Sequence, residues 1–252
     1  MEQMIVPSDS TTIGALAGIA AYITKPLDFV HDDHLALPPL DGPALKRLNA
    51  DASFRAPLNR AAALTLGLSS LAFSPDLAVR ARTESDLKIA LGLLGSDRAG
   101  LLDLARSCAA VQLFPQIRSC VLKSQRRAME AILGEAAFTA AVRESAVFYP
   151  LLAERSRSFE LTGQLDSDDP QARAAIDGAE TPRPREDAIH PIVWEGLATV
   201  LAFVRRVEGG CATLLSLRFP KPALGGSSAL APLTDQHAAE FRLLLKRRGM
   251  KW

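Results

Sequence analysis

Residues 124–142 read SQRRAMEAILGEAAFTAAV. Met129, Ile132, Leu133 and Ala136 recur at the spacing of one helical face, and Ser124 stands where a capping hydroxyl belongs. A strand would need alternation of period two, which the stretch lacks. It reads as an amphipathic helix, and the same reading extends in both directions along the chain.

Upstream, Ile13, Leu16, Ala17 and Ala20 form a stripe after a Ser/Thr cluster and before Lys25-Pro26. Ala61, Leu64, Leu68 and Leu71 form another, with Pro57 expected in its first turn. Leu87, Ala90, Leu91 and Leu94 repeat the pattern up to Gly95, expected as a left-handed cap, and Leu101, Leu104, Ala105 and Cys108 continue it. Downstream, Val193, Leu197, Val200, Leu201 and Val204 share a face, and a last helix is expected from about Asp235. ATLLSLRF (212–219) fits a strand or a helix.

β-Branched and aromatic residues are sparse, aromatics being 6% of the chain, and clean alternation is hard to find. The expected fold is therefore mainly α, an irregular multi-helix bundle forming a single domain over residues 1–252. Residues 162–190, TGQLDSDDPQARAAIDGAETPRPREDAIH, are rich in Asp, Pro, Gly and Ala and are expected as a flexible loop or linker. A second flexible segment is expected over 220–234. No internal repeat of convincing period is present.

The chain has 252 residues, 48% of them apolar, enough for a sizeable core. Lys and Arg number 29 against 28 Asp and Glu, so no whole-molecule field draws in nucleic acid or anionic lipid. Cys108, Cys120 and Cys211 have no CxxC spacing, which fits a reducing cytoplasm. The longest apolar run, Ile13–Ile23, is well short of the roughly 20 residues of a membrane span. Glu2 and Asp9, with no basic residue before that run, also make a poor signal peptide.

Residues 29–39, FVHDDHLALPP, hold two of the four histidines, three apart, with Asp32 and Asp33 between them. Helical metal motifs place histidines four apart, and His190 and His237 are remote in sequence. A polar turn or helix start is the expected reading, because His and Asp there can bond backbone amides. Cys108 sits on an apolar stripe, and Cys120 has Arg118 and Lys123 nearby; core packing is expected for all three thiols. No GxSxG elbow, GxGxxG turn, phosphate loop or HExxH helix occurs, and Asp168-Asp169 lie in the acidic stretch. GGSS at 225–228 lacks the following Lys of a phosphate cradle. No catalytic, cofactor-binding or metal-ligating residue is expected.

Two basic clusters remain, one of Arg118, Lys123, Arg126 and Arg127, the other of Lys246, Arg247, Arg248 and Lys251 in KRRGMKW (246–252). Phosphate binding needs such charge, but a helix C-terminus also favours it through its dipole. Near-zero net charge and few interleaved aromatics make a protein-interaction patch the expected reading, with Arg126, Arg127, Lys246, Arg247 and Arg248 as candidate partner-binding residues.

Three stretches carry a family resemblance: KPLDFVHDDHLALPP (25–39), AAVQLFPQIRSCVLKSQRRAMEAILGEAAFTAAVRES (109–145) and GLATVLAFVRRVEGGCATLLSLRFPK (196–221). Their order, with a Pro, an aromatic, a His and a Leu-Pro early, an LGE between helices and a late Leu-Arg-Phe-Pro run, resembles the K-subunit family of bacterial type III secretion sorting platforms. The Ala/Arg-rich composition suits its rhizobial or plant-pathogen branch, and the long Asp/Pro stretch at 162–190 departs from the family.

The resemblance implies a non-catalytic cytoplasmic adaptor without cofactors. Its partners would be the cytoplasmic domain of the inner-membrane ring protein and the pod or switch subunit, with no nucleic acid and no membrane insertion. The residues alone leave two alternatives open: a helical enzyme with an unrecognised pocket using Cys120 or His31, and a nucleic-acid-binding regulator using KRRGMKW and the Arg126 region.

Overall fold

The computed structural model of the chain describes residues 9–35, 40–120, 122–155, 189–221 and 232–250. Among these the fold is mainly α, with thirteen α-helices and no strand. In chain order they begin with α1 (Asp9–Thr24), α2 (Gly42–Asn49), α3 (Ala52–Thr65), α4 (Leu77–Thr83) and α5 (Ser85–Gly95). Next are α6 (Arg98–Gln112), α7 (Phe114–Ser119), α8 (Lys123–Leu133), α9 (Glu135–Phe148) and α10 (Pro150–Glu154). The last three are α11 (Pro191–Val207), α12 (Gly209–Ser216) and α13 (Asp235–Arg247).

The expected loop at 162–190 lies outside the described residues except for Ile189 and His190, and so does 222–231 of the segment at 220–234. The flanks of that segment, Pro220 and Leu233, are buried. Contacts gather into two compact units, each assembled from separated stretches. One comprises Met1–Arg98 with Phe203–Lys221, the other Ala99–Ala202 with Pro222–Lys251.

In the first unit α1 packs on α3, α4 and α5, and α12 packs on α5. Asp41 caps α2 by accepting from the Ala44 amide at 2.7 Å, and Asp51 does the same for α3 from Ser53 at 2.8 Å. Where α5 ends, the Arg218 guanidinium donates to the carbonyls of Leu94 at 3.1 Å and Ser96 at 2.6 Å, a cation on the negative end of a helix. Buried Glu208 accepts from Ser74 at 2.8 Å and from Arg80 at 3.5 Å. Asn59 ties α3 to the turn Pro26–Asp28: its Oδ1 accepts from the Leu27 amide at 3.1 Å, and its Nδ2 donates to Asn49 Oδ1 at 2.7 Å.

The second unit is centred on Ala109, Leu113, Met129, Leu133, Phe138 and Ile192, with Cys120 and Ile132 at its edge. Gly134 separates α8 from α9 with φ +81°, a conformation that glycine adopts without a Cβ clash. Thr234 and His237 form a reciprocal capping box at the start of α13. Its far end closes as a Schellman motif, with Gly249 at φ +73°, the Gly249 amide on the Lys246 carbonyl and the Met250 amide on the Leu245 carbonyl. From the middle of α13, Glu240 accepts from the amides of Leu151 at 3.1 Å and Leu152 at 2.8 Å, so a distant carboxylate caps the short α10.

Several sequence expectations are corrected. On α1 the buried positions are Ile19 and Tyr22, whereas Ala17 and Ala20 face solvent. A run apolar on every side leaves periodicity no face to choose, and the larger side chains remove more surface from water. Pro57 lies inside α3 rather than in its first turn, because the cap is Asp51. That helix stops at Thr65 before left-handed Gly67, so Leu64 is 66% exposed and Leu68 is buried in a separate turn. Gly95 ends α5 with an extended Ser96 following it, not by a left-handed cap. Ala136 belongs to α9 and is exposed. The stretch at 212–219 is helical through Ser216.

Candidate functional site

The histidines are engaged with the backbone. His31 Nδ1 accepts from the Asp33 amide at 3.2 Å and opens the 3-10 turn Asp32–His34. The His31 amide donates to the Leu217 carbonyl at 2.7 Å, and His34 Nε2 donates to the Phe219 carbonyl at 2.9 Å. Completing the join, Asp33 accepts from the Lys221 amide at 3.3 Å, and Asp32 pairs with Lys46 at 2.7 Å. FVHDDH thus laces onto Leu217–Lys221 through the His31 amide, the His34 imidazole and the Asp33 carboxylate, while the His31 imidazole caps its own turn. Burial pushes His34 below its usual range, an effect the Phe219 carbonyl opposes. His190 Nδ1 accepts from the Ile192 amide at 3.2 Å at the start of α11, and burial lowers its pKa too.

Cys108 and Cys211 are buried, and burial pushes both thiols up to about 12. The nearby Arg248 charge opposes the rise at Cys108, whereas Glu208 adds to it at Cys211. Cys120 is partly exposed and donates to the Gln116 carbonyl at 3.4 Å; burial raises its pKa against the pull of Arg126. Thiols held protonated this way are poor nucleophiles at neutral pH.

A raised thiol pKa also makes a linkage prediction. Below the ordinary thiol value of 9.0 both states keep the protons, so the full stability is present. As pH climbs from 9.0 towards about 12 the unfolded chain sheds protons that the fold retains, and stability is lost. Thermal melts should therefore give midpoints that fall across this window, and Cys108→Ala with Cys211→Ala should flatten the fall. An equal fall in that double variant would contradict the assignment.

The basic residues divide. Arg126 and Arg127 are exposed on α8. Lys246, Arg247 and Arg248 occupy the last turn and cap of α13, where Arg247 and Arg248 border a groove of about 410 Å³. Val111 of α6 and Ala137, Ala140 and Ala141 of α9 form its apolar wall, with Leu244 of α13 opposite. Ser107 and Tyr149 supply hydroxyls. The Arg247 guanidinium also lies 3.8 Å from the Phe148 ring centroid, a cation–π contact that holds it at the rim.

No family model, curated protein or solved structure matches this chain.

Two guanidinium groups beside a wall of small apolar side chains suit an anionic group presented on an apolar body. Neither Cys120 nor His31 lines the groove. Of the residues expected to bind partners, the structure brings Arg247 and Arg248 together with a concave surface and places Arg126 and Arg127 on an exposed helix face. Sequence reasoning missed the alanine wall, although Ala137, Ala140 and Ala141 stand at i, i+3 and i+4 in AAFTAAV. Their small size hid them, because a hydrophobic pattern weights large side chains.

Proposed function

We propose that the chain is a non-catalytic adaptor of a type III protein secretion apparatus, joining the inner-membrane ring protein to the pod subunit of the sorting platform. The observation that carries the binding half of this reading is the groove, where Arg247 and Arg248 flank an alanine-lined wall. It offers charge and shape complementarity, which an adaptor needs for register and steering. The fate of the reactive side chains supports the same reading: imidazoles cap turns and two thiols pack inside. No helix among the described residues is long and apolar enough to cross a membrane, so attachment to the ring through protein contacts is the natural arrangement.

The assignment to this apparatus rests on the resemblance of residues 25–39, 109–145 and 196–221. Two of those stretches are physically laced together, through His31 with Leu217 and His34 with Phe219. Immobilised full-length chain should retain the ring protein's cytoplasmic domain and the pod subunit encoded in the same genome. Retention of neither, under conditions where each is folded, overturns the proposal.

A further inference from the structure

α3 is turned inside out relative to an ordinary surface helix. Its packed face, against α1, α2 and the turns Pro26–Asp28 and Leu68–Ser70, buries only Asn59 and Ala62. The bulkier apolar side chains lie on another face: Phe54, Pro57, Leu58 and Leu64, joined by Ala61, recur at i, i+3, i+4, i+7 and i+10. Phe54 is 49% exposed and Leu64 66%, Pro57 is exposed, and Leu58 and Ala61 are half-buried. A helix that buries an amide and a methyl group while showing an apolar stripe to solvent reverses the usual amphipathic order.

The stripe has relief. Phe54 and Leu64 stand about 15 Å apart along the axis, with the short side chains of Pro57 and Ala61 between them. Two ridges with a dip between them accept a rod of helix width, about 10–12 Å, laid across α3. The edges of the stripe are cationic. Arg60, three after Pro57 and four before Leu64, borders one side, and Arg55, three before Leu58, borders the other. Both are exposed, α3 holds no acidic residue, and among the described residues no carboxylate pairs with either arginine.

We infer that this stripe docks an amphipathic helix of a partner protein, its apolar side chains in the dip between Phe54 and Leu64 and its carboxylates toward Arg55 and Arg60. The inference rests on the binding-protein reading and adds a second surface, in the first unit, to the groove of the second, since a protein that joins two others needs two. A second copy of this chain fits less well: a two-fold interface sets a patch against itself, so the arginine edges would oppose each other. A bilayer surface is read by clusters of roughly 4–8 basic residues, and two arginines fall short of that.

The test uses the full chain and three fluorescent probes: the ring cytoplasmic domain, the pod subunit, and a synthetic helical peptide with leucines on one face and glutamates along both edges. Anisotropy should show binding of the peptide and of the ring domain or pod subunit, weakened by added salt. Phe54→Ala combined with Leu64→Ala, and separately Arg60→Glu, should lower those affinities at least tenfold. Circular dichroism and the thermal midpoint should stay unchanged, because these side chains are exposed and alanine favours a helix. Arg60→Glu alters only an exposed side chain, so it decides the matter even where the double alanine variant loses stability. Arg126→Glu on α8 is the control and should leave every affinity as it was.

Ring or pod binding that both α3 variants leave intact overturns the stripe and keeps the adaptor reading standing. Peptide binding lost in both variants, with no affinity for ring or pod, supports the stripe and removes the apparatus. Self-association, or capture by phosphatidylserine vesicles, that the variants abolish in the absence of peptide binding overturns the partner helix in favour of a second copy or a membrane. Failure of every probe overturns both readings.

Discussion

Replacing Gly196 with alanine should lower the thermal midpoint of the full chain by roughly 10 °C, a loss of about 3 kcal/mol or more. The residue lies in the middle of α11, where alanine would ordinarily gain about 1 kcal/mol of helix propensity. Packing reverses the sign. A Cβ there would overlap the Ala105 carbonyl oxygen and fall 2.7 Å from the Ala109 amide nitrogen, both backbone atoms of α6. Backbone cannot rotate aside as a side chain can, so the two helices would have to separate. That separation would also stretch the buried hydrogen bond from Gln112 Nε2 to Thr199 Oγ1 at the same crossing. Thermal and urea melts of Gly196→Ala beside Gly14→Ala, a helical glycine with open space around it, separate packing from propensity. An unchanged or raised midpoint for Gly196→Ala would contradict the crossing.

The second large effect is expected at Asn59, 3% exposed on α3. Its side chain satisfies the Leu27 amide, bonds Asn49 Oδ1 and returns a bond of 2.8 Å to the Arg55 carbonyl. Asn49 in turn donates to Asp28 at 3.0 Å, so one amide closes a chain of contacts around the corner after α1. Asn59→Ala leaves a buried amide and a buried side-chain oxygen without partners, and each such orphan costs about 1–3 kcal/mol. A total near 3–4 kcal/mol is expected from urea melts. Because Asn49 shares the network, combining Asn59→Ala with Asn49→Ala should cost less than the sum of the singles by about 1–2 kcal/mol. Strict additivity would show that the two amides act independently.

How much of this was legible beforehand varies by residue. The stripes of α5, α6 and α11 lay open in the sequence, since Leu87, Leu94, Leu101, Leu104, Leu197 and Val200 are large apolar groups at helical spacing, and all are buried. The face of α1 was not legible, because GALAGIAAYI offers apolar atoms in every direction and only the neighbours α3, α4 and α5 decide which are covered. Gly196 gave a signal that went unread: a glycine inside a strong helical pattern costs stability unless something packs against it. The division into two units could not be read locally, because Met1–Arg98 is completed by Phe203–Lys221, from the far side of the second unit's main stretch.

At the site, charge was legible and shape was not. Arg247 and Arg248 stand out in KRRGMKW, yet their approach to Ser107, Val111 and Ala137 depends on how α6, α9 and α13 meet. The seam between FVHDDH and LRFPK is likewise tertiary, although the capping chemistry of His and Asp was readable from residue type.

The most direct measurement of the central claim is sedimentation velocity on the full chain mixed with the ring cytoplasmic domain and the pod subunit, singly and together. An adaptor predicts a species containing all three proteins that is lost when this chain is omitted. Independent sedimentation of this chain in every mixture would contradict the account.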